Sequence, residues 1–470
     1  MAGHFFGGMV PSQCVSLITK FFSRMRTARL TKNEMKEVGV GVVGWGTVGA
    51  GVVEGLQRRA ERLASRVHAR PVLRRVADLD IERDRSFPVG RELLTTDAVS
   101  VVEDPSVEVV VELIGGLGAA KELILRALRL GKPVVTANKA LLAAHGSELF
   151  AAAAAGGTHL YFEASVGGGI PILRALREGL IANEVGSVYG ILNGTSNYIL
   201  TRMESEGLPF DRALRKAQQA GYAEADPSLD IDGHDSAHKI AILSSLAFGA
   251  APPLAAILVE GIRNVWLQDI AFARELGYRI KLLASARRLR DGIGVGVRPT
   301  LVRATHMLAF VSGVFNAIVV DGDLTGETFY YGRGAGREPT ASSVLSDIAE
   351  AVKHRHGPQE GMPAEWATAE AAPRWIGPDE ATGRYYLRMV LKDRPGILAR
   401  VAQVLGEYGI SIASVMQKET GAGRHVPVIF ITHETDGRRV AQAVSAIDRL
   451  DCVGTPTARF PIEEFSGVDT

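Results

Sequence analysis

The motif that most constrains the fold is Gly44-Trp45-Gly46-Thr47-Val48-Gly49, which has the spacing G-x-G-x-x-G. It follows the β-branched run 38–43, which suits a buried parallel strand, and precedes an amphipathic stretch that predicts a helix over 47–66. The first glycine permits a tight turn, the second lets a pyrophosphate approach the backbone, and the third lets helix and strand pack closely. Free N–H groups at the helix start then bind phosphate. The motif therefore predicts a dinucleotide-binding βαβ unit.

Strands and helices keep alternating after this motif. The patterns predict strands at 71–77, 107–113 and 133–136, with a helix over 119–130. This spacing indicates an α/β fold of the Rossmann type, with a doubly wound parallel sheet. The domain boundaries that we predict are an N-terminal extension at 1–36, a dinucleotide-binding domain at 37–160 completed by about 322–355, a second α+β domain at 161–321, a Pro- and Gly-rich linker at 356–383, and a C-terminal α+β domain at 384–462.

The acidic residue after the second predicted strand bears on the choice of cofactor. Asp78 lies further from Gly44 than the usual ~20 residues, so the first helix must be extended. A carboxylate there accepts hydrogen bonds from a ribose 2′-hydroxyl and repels a 2′-phosphate, which favours NAD over NADP. The neighbouring Arg74 and Arg75 could still accommodate a phosphate, so both cofactors remain open. We also expect Gly115, just after the third predicted strand, to contact the cofactor.

The densest group of polar residues is the segment 221–239, where four carboxylates occupy a loop that leads into a helix starting near Asp232. Asp235 and Lys239 are four residues apart and share a helix face, and the apolar run 240–243 indicates that this helix is largely buried. A buried lysine with a positioned acid can transfer protons. The surplus carboxylates suit a substrate with an ammonium group. A solvated salt bridge with a capping acid is the alternative interpretation.

A second lysine, Lys139, stands directly after a predicted parallel strand. Ligands of open α/β sheets bind at the carboxyl ends of the strands, so this position predicts a catalytic or cofactor-binding role. An ordinary lysine at a helix start is the alternative. His234 and His238 lie near Lys239, but no ligands at zinc spacing accompany them, and we interpret both as structural.

Two further glycine clusters, at 163–171 and 332–336, follow predicted strands. The first ends in a proline suited to the first position of a helix. It is either a plain turn or a site for a hard cation, formed by one carboxylate and backbone carbonyl oxygens. The second predicts another turn lined by backbone, before a helix.

Charge and cysteine content exclude several classes of protein. Lys plus Arg number 53 and Asp plus Glu 52, for a formal charge of +1, whereas nucleic-acid-binding proteins usually carry a strongly basic face. Two cysteines, Cys14 and Cys452, exclude a disulfide framework and fit a reducing compartment, so we expect a cytoplasmic protein. Pro252 and Pro253 interrupt the longest apolar stretch, 241–259, and we therefore expect no membrane span.

The first 36 residues contain several Lys and Arg and no acid before Glu34. This composition resembles a targeting segment, but it lacks a clean apolar core and a small-residue cleavage site. We prefer the interpretation that the start codon is assigned too early, with Met25 or Met35 as the first residue.

Together these segments resemble the homoserine dehydrogenase family. The matching segments, in the family's order, are GWGTVG (44–49), TANKALLA (136–143), EASVGGGIPI (163–172), LNGTSNYILTRM (192–203), the acidic loop ending in Lys239, and GRGAGREPTA (332–341). The resemblance implies reversible reduction of L-aspartate 4-semialdehyde to L-homoserine with NAD(P)H, in threonine and methionine biosynthesis. It also implies that the second domain binds substrate and mediates dimerisation, within a homodimer or homotetramer.

The resemblance further implies roles for individual residues. Lys239 matches a proton-transferring lysine, and Lys139 matches a lysine between substrate and cofactor. The other implied positions are Glu224, Asp230, Asp235 and Tyr222 for substrate, Gly336 for the cofactor, and Glu163, Val166, Gly168 and Ile170 for a monovalent cation such as sodium, the last three through carbonyl oxygens. Many family members carry Arg where Ala77 stands, which bears on NADP preference.

The C-terminal domain resembles an ACT regulatory domain, which has a ferredoxin-like fold. Its glycine turn, within 391–399, opens a helix whose free N–H groups could receive an amino-acid carboxylate. Feedback inhibition by threonine is the effector function that this implies. A dimerisation module that has lost its ligand is the alternative.

Two other functions remain open on the sequence. One is a Rossmann dehydrogenase that acts on a different amino acid, and the other is a non-catalytic sensor that binds a dinucleotide and an amino acid. The presence of both lysines and the full acidic set favours an enzyme.

Overall fold

The computed structural model describes residues 35–85, 87–356, 373–377, 380–418 and 424–465. The predictions for residues 1–34, and for 357–372 of the linker, lie outside these ranges. The helices are α1 (Thr47–Arg58), α2 (Ala60–Val67), α3 (Ala98–Glu103), α4 (Ala119–Arg129), α5 (Lys139–Ala155), α6 (Ile172–Arg174), α7 (Gly194–Glu206), α8 (Phe210–Gln219), α9 (Ser228–Ile231), α10 (His234–Phe248), α11 (Leu267–Glu275), α12 (Met307–Phe310), α13 (Arg337–His356), α14 (Ile397–Glu407) and α15 (Gly437–Ile447). The strands are β1 (Glu37–Val43), β2 (Arg70–Ala77), β3 (Leu94–Thr95), β4 (Val109–Glu112), β5 (Val134–Thr136), β6 (Leu160–Tyr161), β7 (Val185–Ile191), β8 (Leu258–Val259), β9 (Tyr278–Leu289), β10 (Gly292–Arg303), β11 (Phe315–Gly322), β12 (Gly326–Arg333), β13 (Trp375–Ile376), β14 (Thr382–Lys392), β15 (Ile412–Gln417), β16 (His425–Thr432), β17 (Thr435–Asp436) and β18 (Val453–Glu463).

The first six strands form one parallel sheet in the order β3-β2-β1-β4-β5-β6. This is the strand order of a doubly wound dinucleotide-binding fold, so the predicted Rossmann-type sheet is confirmed. Along β1 only Glu37 is exposed, because the central strand is covered on both faces. Helix α13, from far along the chain, packs on α1 and shares the apolar core that contains Val40 and Val42 of β1.

The predicted helix over 47–66 was wrong in one respect, because the structure has two helices there. Arg59 leaves the helical conformation, with φ −113° and ψ 11°, between α1 and α2. The change of direction lets α2 bury Ala64 and Val67 against β2. Two helices, rather than one extended helix, therefore fill the long segment before Asp78.

A second, mixed sheet runs in the order β12-β11-β7-β9-β10-β18-β14-β16-β15. Strand β10 joins its two parts, because Leu301 and Val302 pair in parallel with Ile462 and Glu463 of β18. The predicted linker is not wholly without regular structure, since β13 also pairs with β10. The C-terminal domain thus shares one continuous sheet with the middle of the chain.

The C-terminal domain has the order strand, helix, strand, strand, helix, strand, and its main strands lie as β18-β14-β16-β15. This arrangement confirms the predicted ferredoxin-like fold. A buried ion pair anchors the domain, since Arg388 Nε lies 2.8 Å from Asp269 Oδ1, with side chains 2% and 0% exposed. The Tyr386 hydroxyl donates to the same Oδ1 over 2.9 Å, and the Arg388 guanidinium lies 3.4 Å from the centroid of the Trp266 ring.

Among the described residues, no helix is both long enough and apolar enough to cross a membrane. The apolar stretch 241–259 is divided between α10, which ends before Gly249, and the turn that contains Pro252 and Pro253.

Candidate active site

The glycine loop of 44–49 connects β1 to α1 at the carboxyl end of the parallel sheet. Gly44 has φ +103°, and a Cβ on Gly49 would lie 2.0 Å from the Gly44 carbonyl oxygen, so both positions require glycine. Nothing lies within 4 Å of a Cβ on Gly46, which is exposed and caps α1 without a side chain. The N–H groups at the start of α1 therefore face open space, which fits the pyrophosphate of a dinucleotide.

Asp78 lies beside this loop, as predicted from its place at the end of β2. Its Oδ2 accepts a hydrogen bond from the Trp45 backbone N–H over 2.6 Å. Its Oδ1 accepts from the Asp80 N–H over 2.9 Å and lies 3.1 Å from Nη2 of Arg85. The carboxylate is thus engaged by groups of the protein.

Glu112, at the end of β4, organises the neighbouring loop. Its buried carboxylate accepts from the backbone N–H groups of Ile114 and Gly115 and from the Thr136 hydroxyl, the last over 2.6 Å. Asn138 caps α5 through its side-chain oxygen and donates from Nδ2 to the Gly116 carbonyl over 2.8 Å. This network fixes the start of α5, where Lys139 is the first residue.

Asp235 contacts both predicted lysines. Lys239 Nζ lies 2.7 Å from Asp235 Oδ2 and donates to the Leu192 carbonyl over 2.7 Å, while Lys139 Nζ lies 3.3 Å from Asp235 Oδ1. Lys239 is 8% exposed, so the predicted burial and the predicted contact across one helical turn are both confirmed. The Lys139 side chain is 38% exposed and lies at the open side of the pair.

The charges of this cluster are strongly coupled. Burial alone would raise the pKa of Asp235, but the ammonium groups of Lys239 and Lys139 hold that pKa well below its usual range. Asp230 differs, because burial, the largest effect, together with the nearby Asp235 charge raises its pKa. Burial also lowers the pKa of His238, one turn after Asp235, which favours its neutral form. Asp235 therefore remains a fixed negative charge between two cations across the neutral pH range.

Asn193 connects the two acids and was not among the predicted site residues. Its Nδ2 donates to Asp230 Oδ1 over 2.7 Å and to Asp235 Oδ2 over 2.8 Å, while its Oδ1 caps α7 by accepting from the Ser196 N–H. The signal in the sequence was an asparagine directly before a helical stretch, which is typical of a helix cap. Its contacts with residues about 40 positions away gave no signal.

Two of the predicted substrate residues, Glu224 and Tyr222, are exposed. Glu224 is exposed, and within the described ranges no contact of its side chain with either lysine is found. Tyr222 is 45% exposed and packs its ring 5.0 Å from that of Tyr198. Its carbonyl accepts a hydrogen bond from Thr195.

The two later glycine clusters meet each other in the structure. A Cβ on Gly168 would lie 2.5 Å from the backbone of Gly334, and the Gly169 N–H donates to the Arg333 carbonyl over 3.1 Å. Gly336 has φ +122° and precedes α13, the helix that packs on α1. The turn at 332–336 therefore lies on the side of the domain that carries the glycine loop.

The predicted cation ligands lie in the turn at 163–170. Both carboxylate oxygens of Glu163 accept backbone hydrogen bonds, from Leu173 over 3.0 Å and Arg174 over 2.9 Å, so this carboxylate is largely committed to capping α6. The Gly168 carbonyl accepts a hydrogen bond from the Ser343 hydroxyl, and the Ile170 carbonyl accepts one from the Ile172 N–H. Val166 is fully buried. In the part of the chain that the structure describes, no cluster of three His, Cys, Asp or Glu side chains could hold a metal.

Asp347 faces the backbone of Glu163 and gives a testable pH dependence. It is 1% exposed, its Oδ2 accepts from the Glu163 N–H over 2.8 Å, and burial, reinforced by the Glu163 carboxylate, raises its pKa to about 8. Because the folded-state pKa is the higher one, the stability that this group contributes is lost as pH rises from about 4 to about 8. We expect Asp347→Asn to remove that loss.

Thermal unfolding of wild type and Asp347→Asn at pH 5 and pH 8 measures this effect. The variant should gain about 1–3 kcal/mol relative to wild type between the two pH values, since one unit of pKa shift corresponds to ~1.4 kcal/mol. A difference between the two proteins that does not change with pH would contradict the assignment. Glu338→Gln, which changes an exposed acid on the same helix, serves as the control.

A small pocket of about 280 Å³ lies in the C-terminal domain at the glycine turn that was predicted from the sequence. Gly396 has φ +86° and opens α14 without a side-chain cap. The pocket is lined by Lys392, Asp393 and Arg394 together with Gln417 of β15.

The comparisons with known proteins agree along the whole of this architecture. Residues 44–163 match the family model for the homoserine dehydrogenase NAD-binding domain, 171–349 match that for homoserine dehydrogenase, and 385–452 match that for the ACT domain. A homoserine dehydrogenase of Pseudomonas aeruginosa is 44% identical over 439 residues, which span 92% of this chain and 100% of that relative. One from Bacillus subtilis is 38% identical, covering 91% of this chain and 99% of the relative.

Solved structures give the same result. The crystal structure of a homoserine dehydrogenase from Thiobacillus denitrificans has a TM-score of 0.87 and 43% identity, covering 92% of this chain and 99% of that chain. A hyperthermophilic archaeal homoserine dehydrogenase in complex with NADPH has a TM-score of 0.58 and 28% identity, covering 67% of this chain and 97% of that chain.

Proposed function

The chain belongs to the homoserine dehydrogenase family, and from that premise we propose that Lys239 and Lys139 act on the reacting oxygen of the substrate. The family activity is the reversible, NAD(P)-dependent interconversion of L-aspartate 4-semialdehyde and L-homoserine. The observation that supports this assignment is the Asp235 carboxylate, which lies 2.7 Å from one ammonium group and 3.3 Å from the other. A carboxylate shared in this way holds two proton donors on one side of the cleft.

The residues that we propose for the cofactor are the glycine loop 44–49, Asp78, Gly115, Lys139 and Gly336. When bound, the nicotinamide cofactor supplies or accepts the hydride of the reaction. The preference for NAD over NADP rested on a free carboxylate at position 78, and that preference remains a prediction.

The proposed task of Lys239 is proton transfer. In the direction of reduction its Nζ donates a proton to the substrate oxygen as the alcohol forms, and in oxidation it accepts that proton. Asp235 and the Leu192 carbonyl fix the position of Nζ, so the donor is oriented before substrate binds. The two positive charges also stabilise the negative charge that develops on the oxygen.

The proposed partner of the substrate ammonium group is Asp230, whose Oδ1 is oriented by Asn193. Glu224 and Tyr222 stay in the proposed substrate site on the family resemblance alone, since both residues are exposed.

Four further assignments remain proposals. A monovalent cation such as sodium would be held by Glu163 and by the carbonyl oxygens of Val166, Gly168 and Ile170. Exposed apolar side chains such as Phe310 and Tyr331, 63% and 53% exposed, would suit an interface in a homodimer or homotetramer. The predicted domain limits and the cytoplasmic location also stand as proposals.

Threonine is the proposed effector of the C-terminal domain. The pocket at Gly396 combines uncapped N–H groups of α14, which favour a carboxylate, with Asp393, which favours an ammonium group. An ACT domain that serves only as a dimerisation module remains the alternative.

Purified protein should reduce NAD⁺ or NADP⁺ when homoserine is added, measured by the absorbance of the reduced nicotinamide. Added threonine should lower the rate. Release of ammonia with another amino acid would instead indicate a different dehydrogenase, and tight cofactor binding without turnover would indicate a sensor. A rate that threonine leaves unchanged would contradict the proposed effector.

A further inference from the structure

The loop after β2 folds back over the glycine loop through one side chain, Arg85. Its Nε donates to the Trp45 carbonyl over 2.5 Å, and its guanidinium lies 4.3 Å from the centroid of the Trp45 ring. Its Nη1 donates to the Arg83 carbonyl over 2.8 Å, and its Nη2 donates to the Asp80 carbonyl and lies 3.1 Å from Asp78 Oδ1. The Arg85 side chain is only 7% exposed, so this is an ordered cation and not a solvated one.

This contact changes the electrostatics at the end of β2. Asp78 is 19% exposed, and both of its oxygens accept hydrogen bonds from the protein. In this fold the acid at the end of β2 selects NAD because it accepts the ribose hydroxyls and repels a 2′-phosphate. Here a nearly buried guanidinium pairs with the carboxylate and compensates its negative charge. The acid in this chain therefore lacks the uncompensated charge that would exclude NADP.

We infer that Arg85 is a specificity-determining residue, which admits the 2′-phosphate of NADP(H) by pairing with Asp78. The inference rests on the proposed cofactor site and deepens it. Loss of Arg85 would leave Asp78 as an uncompensated negative charge and favour NAD. Loss of the Asp78 charge would have the opposite effect, because Arg85 would then be an unpaired cation.

Calorimetric titration with two adenine nucleotides tests the inference without turnover. The probes are adenosine 5′-monophosphate and adenosine 2′,5′-bisphosphate, which differ only by the 2′-phosphate. Arg85→Gln should weaken binding of the bisphosphate relative to the monophosphate by at least about tenfold, the lower end of what a charged hydrogen bond contributes. Asp78→Asn should strengthen binding of the bisphosphate relative to the monophosphate. The kcat/KM ratio for NADP⁺ against NAD⁺ should follow the same order.

The controls separate specificity from structure. Arg83→Gln removes an exposed cation from the same loop without touching Asp78 and should change the ratio less than about threefold, as expected for a solvated charge. Arg85→Lys keeps the positive charge without the planar guanidinium, and it should retain part of the wild-type preference for the bisphosphate over the monophosphate.

Several results would overturn the inference. Equal loss of both nucleotides in Arg85→Gln would show that Arg85 only supports the loop around Trp45. An unchanged ratio in Asp78→Asn, or an equal effect of Arg83→Gln, would also contradict it. Failure of the proposed function is a separate outcome, because it would appear as nucleotide binding without homoserine-dependent turnover.

Discussion

Lys239→Ala is expected to lower kcat by about 10²–10⁴-fold, the usual contribution of a positioned proton donor, with a much smaller change in KM. The reason is that Nζ lies in a buried position fixed by Asp235 and the Leu192 carbonyl, where water cannot easily replace it as a proton donor. Steady-state kinetics of homoserine oxidation, with saturating cofactor, measure the effect.

A matched control is available in Lys281, another buried lysine. It is 2% exposed on β9, donates to the Val311 carbonyl over 2.6 Å, and has a pKa that burial lowers to about 8. Lys281→Met should reduce stability while leaving kcat near wild type, because it makes no contact with the Asp235 cluster among the described residues. A Lys239→Ala enzyme with kcat within about threefold of wild type would remove Lys239 from the mechanism.

Arg388→Met is expected to lower the free energy of unfolding by about 3–5 kcal/mol, because it leaves Asp269 buried without its cation. Asp269 is fully buried on α11, and its remaining partners are the Tyr386 hydroxyl and the Trp266 backbone N–H. Burial already raises the pKa of Asp269, and loss of the guanidinium would remove the main effect that opposes this. Thermal or urea-induced unfolding of the full chain measures the change.

Two variants make this second prediction specific. Arg400→Met breaks an exposed ion pair with Asp451 in the same domain, with side chains 49% and 81% exposed, and should cost less than about 1 kcal/mol. The double variant Arg388→Met with Asp269→Asn removes both charges, keeps one acceptor oxygen for the Tyr386 hydroxyl or the Trp266 N–H, and should recover part of the stability. If Arg388→Met were no more destabilising than Arg400→Met, the anchoring role of the buried pair would be wrong.

The parts of the site that the sequence predicted depend on short-range spacing. The three glycines at 44, 46 and 49 have roles that local backbone geometry dictates, and the distance from Asp235 to Lys239 is one helical turn. Their positions follow from the fold class and from helix periodicity. The doubly wound parallel sheet was predictable because alternating strands and helices permit few topologies, but the short strands β3 and β6 were not predicted.

The contacts that the sequence did not predict join distant segments. The approach of Lys139 to Asp235, the bridging by Asn193 and the pairing of Arg85 with Asp78 each depend on how loops fold onto one another. No periodicity in the sequence encodes such contacts. The break at Arg59 was missed because the hydrophobic pattern continues through it. The use of the Glu163 carboxylate as a helix cap was missed because the turn had been interpreted only as a plain turn or as a cation site.

The pairing of β10 with β18 limits how the enzyme can be engineered. A stop codon after residue 383 would strip the last strand from Leu301 and Val302 and expose their backbone groups at an open sheet edge. It would also remove the only cation that the described structure places against Asp269. Truncation is therefore a poor way to test the proposed effect of threonine. Single substitutions in the pocket at Gly396 would leave the shared sheet whole.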